Sequence, residues 1–176
     1  GQWRGRHNPQ GIVSDSMSLS LSLFALLCVA LLHSSLVTST TVRSCKGVPR
    51  DGTMEVDIKG CQDPPCVLRK KSNVTIEISF KPNKKINDLK TGVHAILGGI
   101  PIPWIGQDGT DACKYMHKET LGKIVGCPLE PGVRYLYSNT FYIEPLYPSI
   151  NVKVRWALLS DRKEVVCFEV GTKIVS

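Results

Sequence analysis

An all-β fold, an antiparallel sandwich, is predicted by three features of the sequence. Two segments alternate apolar and polar residues with a period of two, turn-forming clusters separate the apolar stretches, and nothing after residue 39 sustains a helical period. The first strand is predicted at residues 53–58. The second, residues 73–80, is the clearest: Val74, Ile76, Ile78 and Phe80 fall on one face and Thr75, Glu77 and Ser79 on the other, as in a strand with one buried face. A third follows at 92–97, and a fourth at 134–143 after the turn cluster Glu130-Pro131-Gly132. In the fifth, 151–158, Val152, Val154, Trp156 and Leu158 alternate with Lys153 and Arg155, so cations mark the solvent face. The last strand is predicted at 165–174.

One segment breaks the pattern. Gly98-Gly99-Ile100-Pro101-Ile102-Pro103-Trp104 carries two prolines, and a residue without an N–H cannot complete the ladder of a central strand. It reads as an edge or rim segment. Ile100, Ile102 and Trp104 then either pack as a hydrophobic loop on the core or line the mouth of a cavity.

The chain has 176 residues, the length of one ordinary domain. A 42% apolar content excludes disorder, and a net charge of +7 set against 15 acidic residues excludes a histone-like polycation. Ten apolar residues at 23–32 are too few to cross a bilayer, which takes about 20. They match the core of a secretory signal peptide, with Val37-Thr38-Ser39 supplying small residues for cleavage after Ser39. No Lys or Arg separates Met17 from that core; a buried helix is the competing reading. The expected organisation is an upstream extension or read-through at 1–16, a signal peptide at 17–39 and a mature domain at 40–176. Cleavage would remove Cys28, turn seven cysteines into six, and leave 137 residues with a net charge of +6. In an oxidising compartment six cysteines form three disulfides.

Catalysis has little support. There is no Gly-x-Ser-x-Gly elbow, His-Glu-x-x-His or phosphate loop. His94 sits in an apolar strand and reads as a core histidine, while Asp108 and Asp111 flank the turn around Gly109 and read as turn formers. No metal site is expected, since there is no Cys-x-x-Cys pair and the mature histidines are only His94 and His117. Lys70-Lys71 and Lys84-Lys85 are either solvated loop charges or contacts to an anionic membrane surface. Nucleic acid is excluded as a partner, because the aromatics lie in strands or beside prolines rather than along a basic stripe. Asn73-Val74-Thr75 is a glycosylation sequon at a strand start.

Several motifs occur together and in order: Cys45, Cys61-x4-Cys66, the sequon at Asn73, the run from His94 to Trp104, Cys127-Pro128-Leu129, Tyr147-Pro148-Ser149-Ile150, Trp156, Cys167 and a terminal Ile-Val-Ser. Over essentially the whole mature chain this set resembles the ML lipid-recognition family, in particular its sterol carriers and their arthropod relatives. The resemblance implies an immunoglobulin-like β-sandwich of about seven strands with an apolar lipid cavity between the sheets. Of the 15 pairings open to six cysteines, it implies Cys45 with Cys167, Cys61 with Cys66, and Cys113 with Cys127. It implies no cofactor and lipid-binding roles for Trp104, Tyr147, Ile143, Ile100 and Ile102. The 13 residues between Cys113 and Cys127 form a loop longer than in the sterol carriers, expected beside the Pro-rich rim.

The function implied is that of a secreted, or lysosomal, non-enzymatic carrier. It would hold a sterol or related apolar lipid and deliver it to a membrane or to a membrane sterol acceptor protein. An innate-immunity protein binding lipopolysaccharide or other microbial lipids is the alternative, and it would need a wider pocket with a basic mouth. A carrier of small odorants or semiochemicals is the third reading.

Overall fold

The computed structural model describes residues 1–2, 39–47, 54–118 and 122–176. The signal peptide expected at 17–39 lies outside the described residues apart from Ser39, as does the extension at 1–16 beyond its first two residues. Residues 38–176 form a compact unit. Its strands are β1 (Arg43–Ser44), β2 (Glu55–Ile58), β3 (Cys66–Arg69), β4 (Asn73–Phe80), β5 (Lys90–Leu97), β6 (Ile100–Pro103), β7 (Met116–Lys118), β8 (Lys123–Ile124), β9 (Tyr135–Tyr142), β10 (Asn151–Ser160) and β11 (Lys163–Val175). A 3-10 turn covers Cys113–Tyr115.

The strands form two sheets. One runs β1-β11-β10-β5-β6, with β3 alongside the end of β11; the other runs β2-β4-β9-β7-β8. Pairing is antiparallel throughout except between β3 and β11. The six strands read from the sequence are β2, β4, β5, β9, β10 and β11. The fold is the predicted all-β sandwich, with more than the expected seven strands because β1, β3, β7 and β8 are two to four residues long. Of these, β1, β7 and β8, at two or three residues, are too short to show a period.

Alternation decides which face each strand buries. Ile76, Ile78 and Phe80 of β4 meet Val152, Val154, Trp156 and Leu158 of β10 and Val166, Phe168 and Val170 of β11 in one core. Each such side chain contributes about 1.5–3 kcal/mol when fully buried, so this shared face is the main source of stability.

The Pro-rich segment forms an edge strand, β6. The Trp104 N–H donates to the Val93 carbonyl at 2.8 Å, and Ala95 pairs with Ile102 and Leu97 with Ile100. Backbone groups therefore face β5 at Trp104, Ile102 and Ile100. Pro101 and Pro103 occupy the outward positions, where a missing N–H costs nothing and leaves the edge without donors.

Among the described residues, three disulfides cross-link the chain: Cys45–Cys167, 122 residues apart, Cys61–Cys66, five apart, and Cys113–Cys127, 14 apart. In the chain-entropy account a bridge stabilises according to the loop it closes, about 5 kcal/mol for the longest of these and about 2 for the shortest. Replacing both Cys45 and Cys167 by Ala should therefore lower the unfolding free energy by about 5 kcal/mol, and the same change at Cys61 and Cys66 by about 2. Urea denaturation measures both; the opposite order would contradict this account.

Candidate functional site

An aromatic file runs through the space between the sheets. Period two turns Tyr135, Tyr137, Asn139 and Phe141 of β9 inward, β10 supplies Trp156, and β6 leads directly into Trp104. Ring centroids are 6.4 Å apart for Tyr137 and Trp156, 5.5 Å for Trp156 and Phe141, 6.3 Å for Phe141 and Trp104, and 5.3 Å for Trp104 and Tyr147. The last two pairs meet edge to face, at 79° and 80°, the favoured geometry for aromatic rings.

Trp104 separates two apolar spaces. Outside it is a mouth pocket of about 180 Å³ lined by Leu97, Ile102, Ile105, Tyr147, Ile150, Val152 and Ile174 among others. Behind it, between the sheets, a cavity of about 30 Å³ is walled by Ile76, Phe141, Val154, Trp156 and Val170 among others. Trp104 lines both and is only 7% exposed.

The turn after Trp104 holds it there. Its carbonyl accepts from the N–H groups of Gln107 (3.0 Å) and Asp108 (2.9 Å). Asp108 Oδ1 accepts from the Val93 N–H at 2.8 Å, and the Thr91 hydroxyl donates to the Gln107 carbonyl. Gly106 and Gly109 take positive φ of 79° and 72° in this turn, a conformation that suits glycine. From the second sheet, Asn139 Nδ2 donates to Gln107 Oε1 at 3.0 Å.

Two phenols in the file are displaced from their ordinary behaviour. Burial pushes the Tyr137 phenol up, against a smaller opposing effect of the Asn139 side chain. Burial and the charge of Glu144 likewise raise the half-buried Tyr147, while the Trp104 indole works the other way. The Tyr147 hydroxyl donates to the Ile105 carbonyl at 3.4 Å.

Of the residues read from sequence, the structure brings Trp104, Tyr147 and Ile102 together at the mouth. Ile100 lies two residues further out on the same strand and is 66% exposed. Ile143 is fully buried at the end of β9, tied to Lys71 and Ser72 through its backbone, and lines neither space. Asn73 opens β4 exposed.

Two expectations are corrected. The segment between Cys113 and Cys127 is not beside the Pro-rich rim: Met116 and Lys118 pair with Tyr137 and Tyr135 at the start of β9, whereas the rim meets its far end at Phe141. His94 is not a core residue. It alternates outward from the buried Val93 and stands half-exposed, its Nε2 3.9 Å from Asp108 Oδ1. Sequence reasoning passed over Gln107, Asn139 and Phe141. An asparagine in the inward register between Tyr137 and Phe141 was the available signal.

Among the described residues, no group of three or more side chains is placed to hold a metal ion. The sequence model of the family described as ML domain matches residues 39–174. The Ecdysteroid-regulated 16 kDa protein of Manduca sexta is 33% identical over 109 residues, 62% of this chain and 70% of that protein. The NPC intracellular cholesterol transporter 2 of Danio rerio is 32% identical over 125 residues, 70% of this chain and 77% of that protein. Among solved structures, a Niemann-Pick type C2 protein from Japanese carpenter ant shares the fold with a TM-score of 0.58 at 20% identity, over 79% of this chain and 96% of that one.

The raised phenols carry a pH signature. Because the folded state keeps these protons longer than the unfolded chain does, the stability they contribute is complete below about pH 10. It is lost as pH rises through the folded values. Thermal unfolding should give a Tm that declines above about pH 10, and Tyr137→Phe should make that decline shallower; an identical alkaline decline in the variant would contradict the assignment.

Proposed function

Because the chain belongs to the ML domain family of lipid-binding non-enzymes, we propose that it holds a sterol or related apolar lipid between its two sheets and hands it to a membrane or an acceptor protein. The observation that carries this reading is Trp104, a single side chain forming the wall between an apolar mouth and an apolar interior. The likeness to a protein named as a cholesterol transporter supports the sterol class.

The two spaces, about 180 and 30 Å³, are smaller than the roughly 300–1,000 Å³ of pockets that enclose drug-sized ligands. Loading therefore requires the sheets to part and the rings of Trp104 and Phe141 to turn aside. Each edge-to-face contact given up costs about 0.5–1.5 kcal/mol. A lipid that buries on the order of 500 Å² of apolar surface returns about 12 kcal/mol gross, enough to offset that loss and much of the cost of immobilisation.

Delivery is supported by what surrounds the mouth. Ile105 and Leu146 are 83% and 92% exposed. The backbone bonds of Lys70 to Val175 and of Lys71 to Ile143 bring that basic pair to the same end, where it favours approach to anionic lipid. Lys85, by contrast, is paired with Glu130 at 3.4 Å. Three disulfides and an exposed Asn73 fit a secreted or lysosomal setting. The microbial-lipid reading asks for a basic mouth, and the residues lining this one are all uncharged.

Titration with a fluorescent sterol tests the pocket. Trp104→Ala and Tyr147→Ala should each weaken binding about tenfold, or about 1.4 kcal/mol; unchanged affinity in both would sink the assignment. In a transfer assay, exchanging Lys70 and Lys71 for Glu should slow delivery to anionic vesicles and leave delivery to neutral ones unaltered. Equal rates to both vesicle types in the parent protein would remove the electrostatic step.

A further inference from the structure

The pairing of β4 with β9 sets the sequon Asn73-Val74-Thr75 against an aromatic side chain that lines neither apolar space. Asn73 opens β4 and stands directly opposite Tyr142, the last residue of β9; the next pair on that face is Thr75 with Thr140. Those two hydroxyls bond to each other at 2.7 Å, so the two strands present these side chains on one outer face. Backbone bonds sharpen the placement. The Ile143 N–H donates to the Ser72 carbonyl at 2.9 Å, and the Lys71 N–H donates to the Ile143 carbonyl at 2.8 Å. Lys71, at φ 61°, is the extra residue of a bulge. The pair that follows Ser72 and Ile143 is then of the non-hydrogen-bonded kind, in which side chains lie closer. Across such a pair the Cβ atoms are about 4.5–5.5 Å apart.

Tyr142 departs from the pattern of its strand. Tyr135, Tyr137 and Phe141 turn inward, whereas Tyr142 faces out, is 45% exposed and meets no other ring among the described residues. Further along the same face come the polar pairs Thr75 with Thr140 and Glu77 with Ser138. A single exposed tyrosine is ordinary by itself. What distinguishes this one is that the side chain facing it is an exposed asparagine in a glycosylation triplet. An N-linked glycan starts with N-acetylglucosamine, whose ring has a face of C–H groups and a rim of hydroxyls. The C–H face suits the apolar surface of a phenol ring, and the hydroxyl rim suits the neighbouring threonines.

We propose that Tyr142 is the platform on which the first N-acetylglucosamine of a glycan on Asn73 stacks. Attachment forms a bond from Asn73 Nδ2 to the anomeric carbon and breaks that carbon's bond to the diphosphate of a lipid-linked oligosaccharide donor. The Nδ2 proton and the lipid diphosphate leave. Because Nδ2 is two bonds beyond Cβ, the sugar ring enters the space over the adjacent side chain. It covers an exposed aromatic and ties the first residue of β4 to the last of β9, where their ladder ends. This rests on the secreted or lysosomal setting proposed above and is independent of which lipid is carried.

Protein secreted from cells that add only high-mannose glycans tests the platform. Peptide mass mapping should find Asn73 occupied, and endoglycosidase trimming then leaves one sugar on it. The trimmed protein should unfold about 4 °C above Asn73→Gln. That gain should vanish when both forms also carry Tyr142→Ala and persist when both carry Tyr142→Phe, which keeps the ring. In the trimmed parent protein, C–H protons of the sugar should resonate upfield of their positions in a short glycopeptide, a readout that needs no variant. An equal gain without the ring, no gain at all, or unshifted sugar resonances would overturn the platform. Secreted protein with Asn73 bare would overturn the modification and the platform with it, leaving the secreted setting standing. A chain that is not secreted would overturn that setting itself, and this inference with it.

Discussion

Closure of two sheets over one shared apolar face is the constraint on which the rest depends. Ile76, Ile78 and Phe80 on one side and Val154, Trp156 and Val170 on the other have no water to turn to once the sheets meet, and that contact is non-directional. Hydrogen bonds fix each sheet within itself and fix register residue by residue. Between the sheets there is no comparable ladder, so the separation of the layers is set by side-chain volume. A fold of this kind can yield along one direction, perpendicular to the sheets, while its strands stay paired.

That asymmetry explains the division of labour around Trp104. Its backbone is held firmly, by Val93 on one side and by the turn to Asp108 on the other. Its ring is held by edge-to-face contacts with Phe141 and Tyr147, interactions about as strong as a single net hydrogen bond. A fixed hinge thus carries a weakly latched ring. The Asn139–Gln107 bond reaches across from the opposite sheet to the same turn, so the latch is referenced to both layers.

Much of the fold was legible because it is written in alternation. The period of Val74 to Phe80 and of Val152 to Leu158 marks both strands and their buried faces, and the start of β4 at Asn73 agrees with the sequence pattern. Pro101 and Pro103 announced an edge. The β3 strand was not read, although its four residues alternate buried and exposed; its parallel pairing with β11 depends on a partner more than a hundred positions away. At the site, the Pro-rich run singled out Trp104 and Ile102 as rim residues and the family resemblance supplied Tyr147; all three line one pocket. Ile143 is fully buried and lines neither apolar space, and apolar character alone does not distinguish a cavity wall from solid core. Gln107 and Asn139 each look ordinary in sequence and acquire meaning only when the fold brings them to 3.0 Å.

The two outward prolines of β6 have a further consequence. A protein built to receive greasy molecules must expose an adhesive opening, and here that opening adjoins the open margin of a sheet, the part of any β protein most prone to recruit another chain. With Pro101 and Pro103 facing out, the margin offers carbonyls and no donors. Apolar character and backbone hydrogen-bonding capacity are thereby uncoupled at this edge.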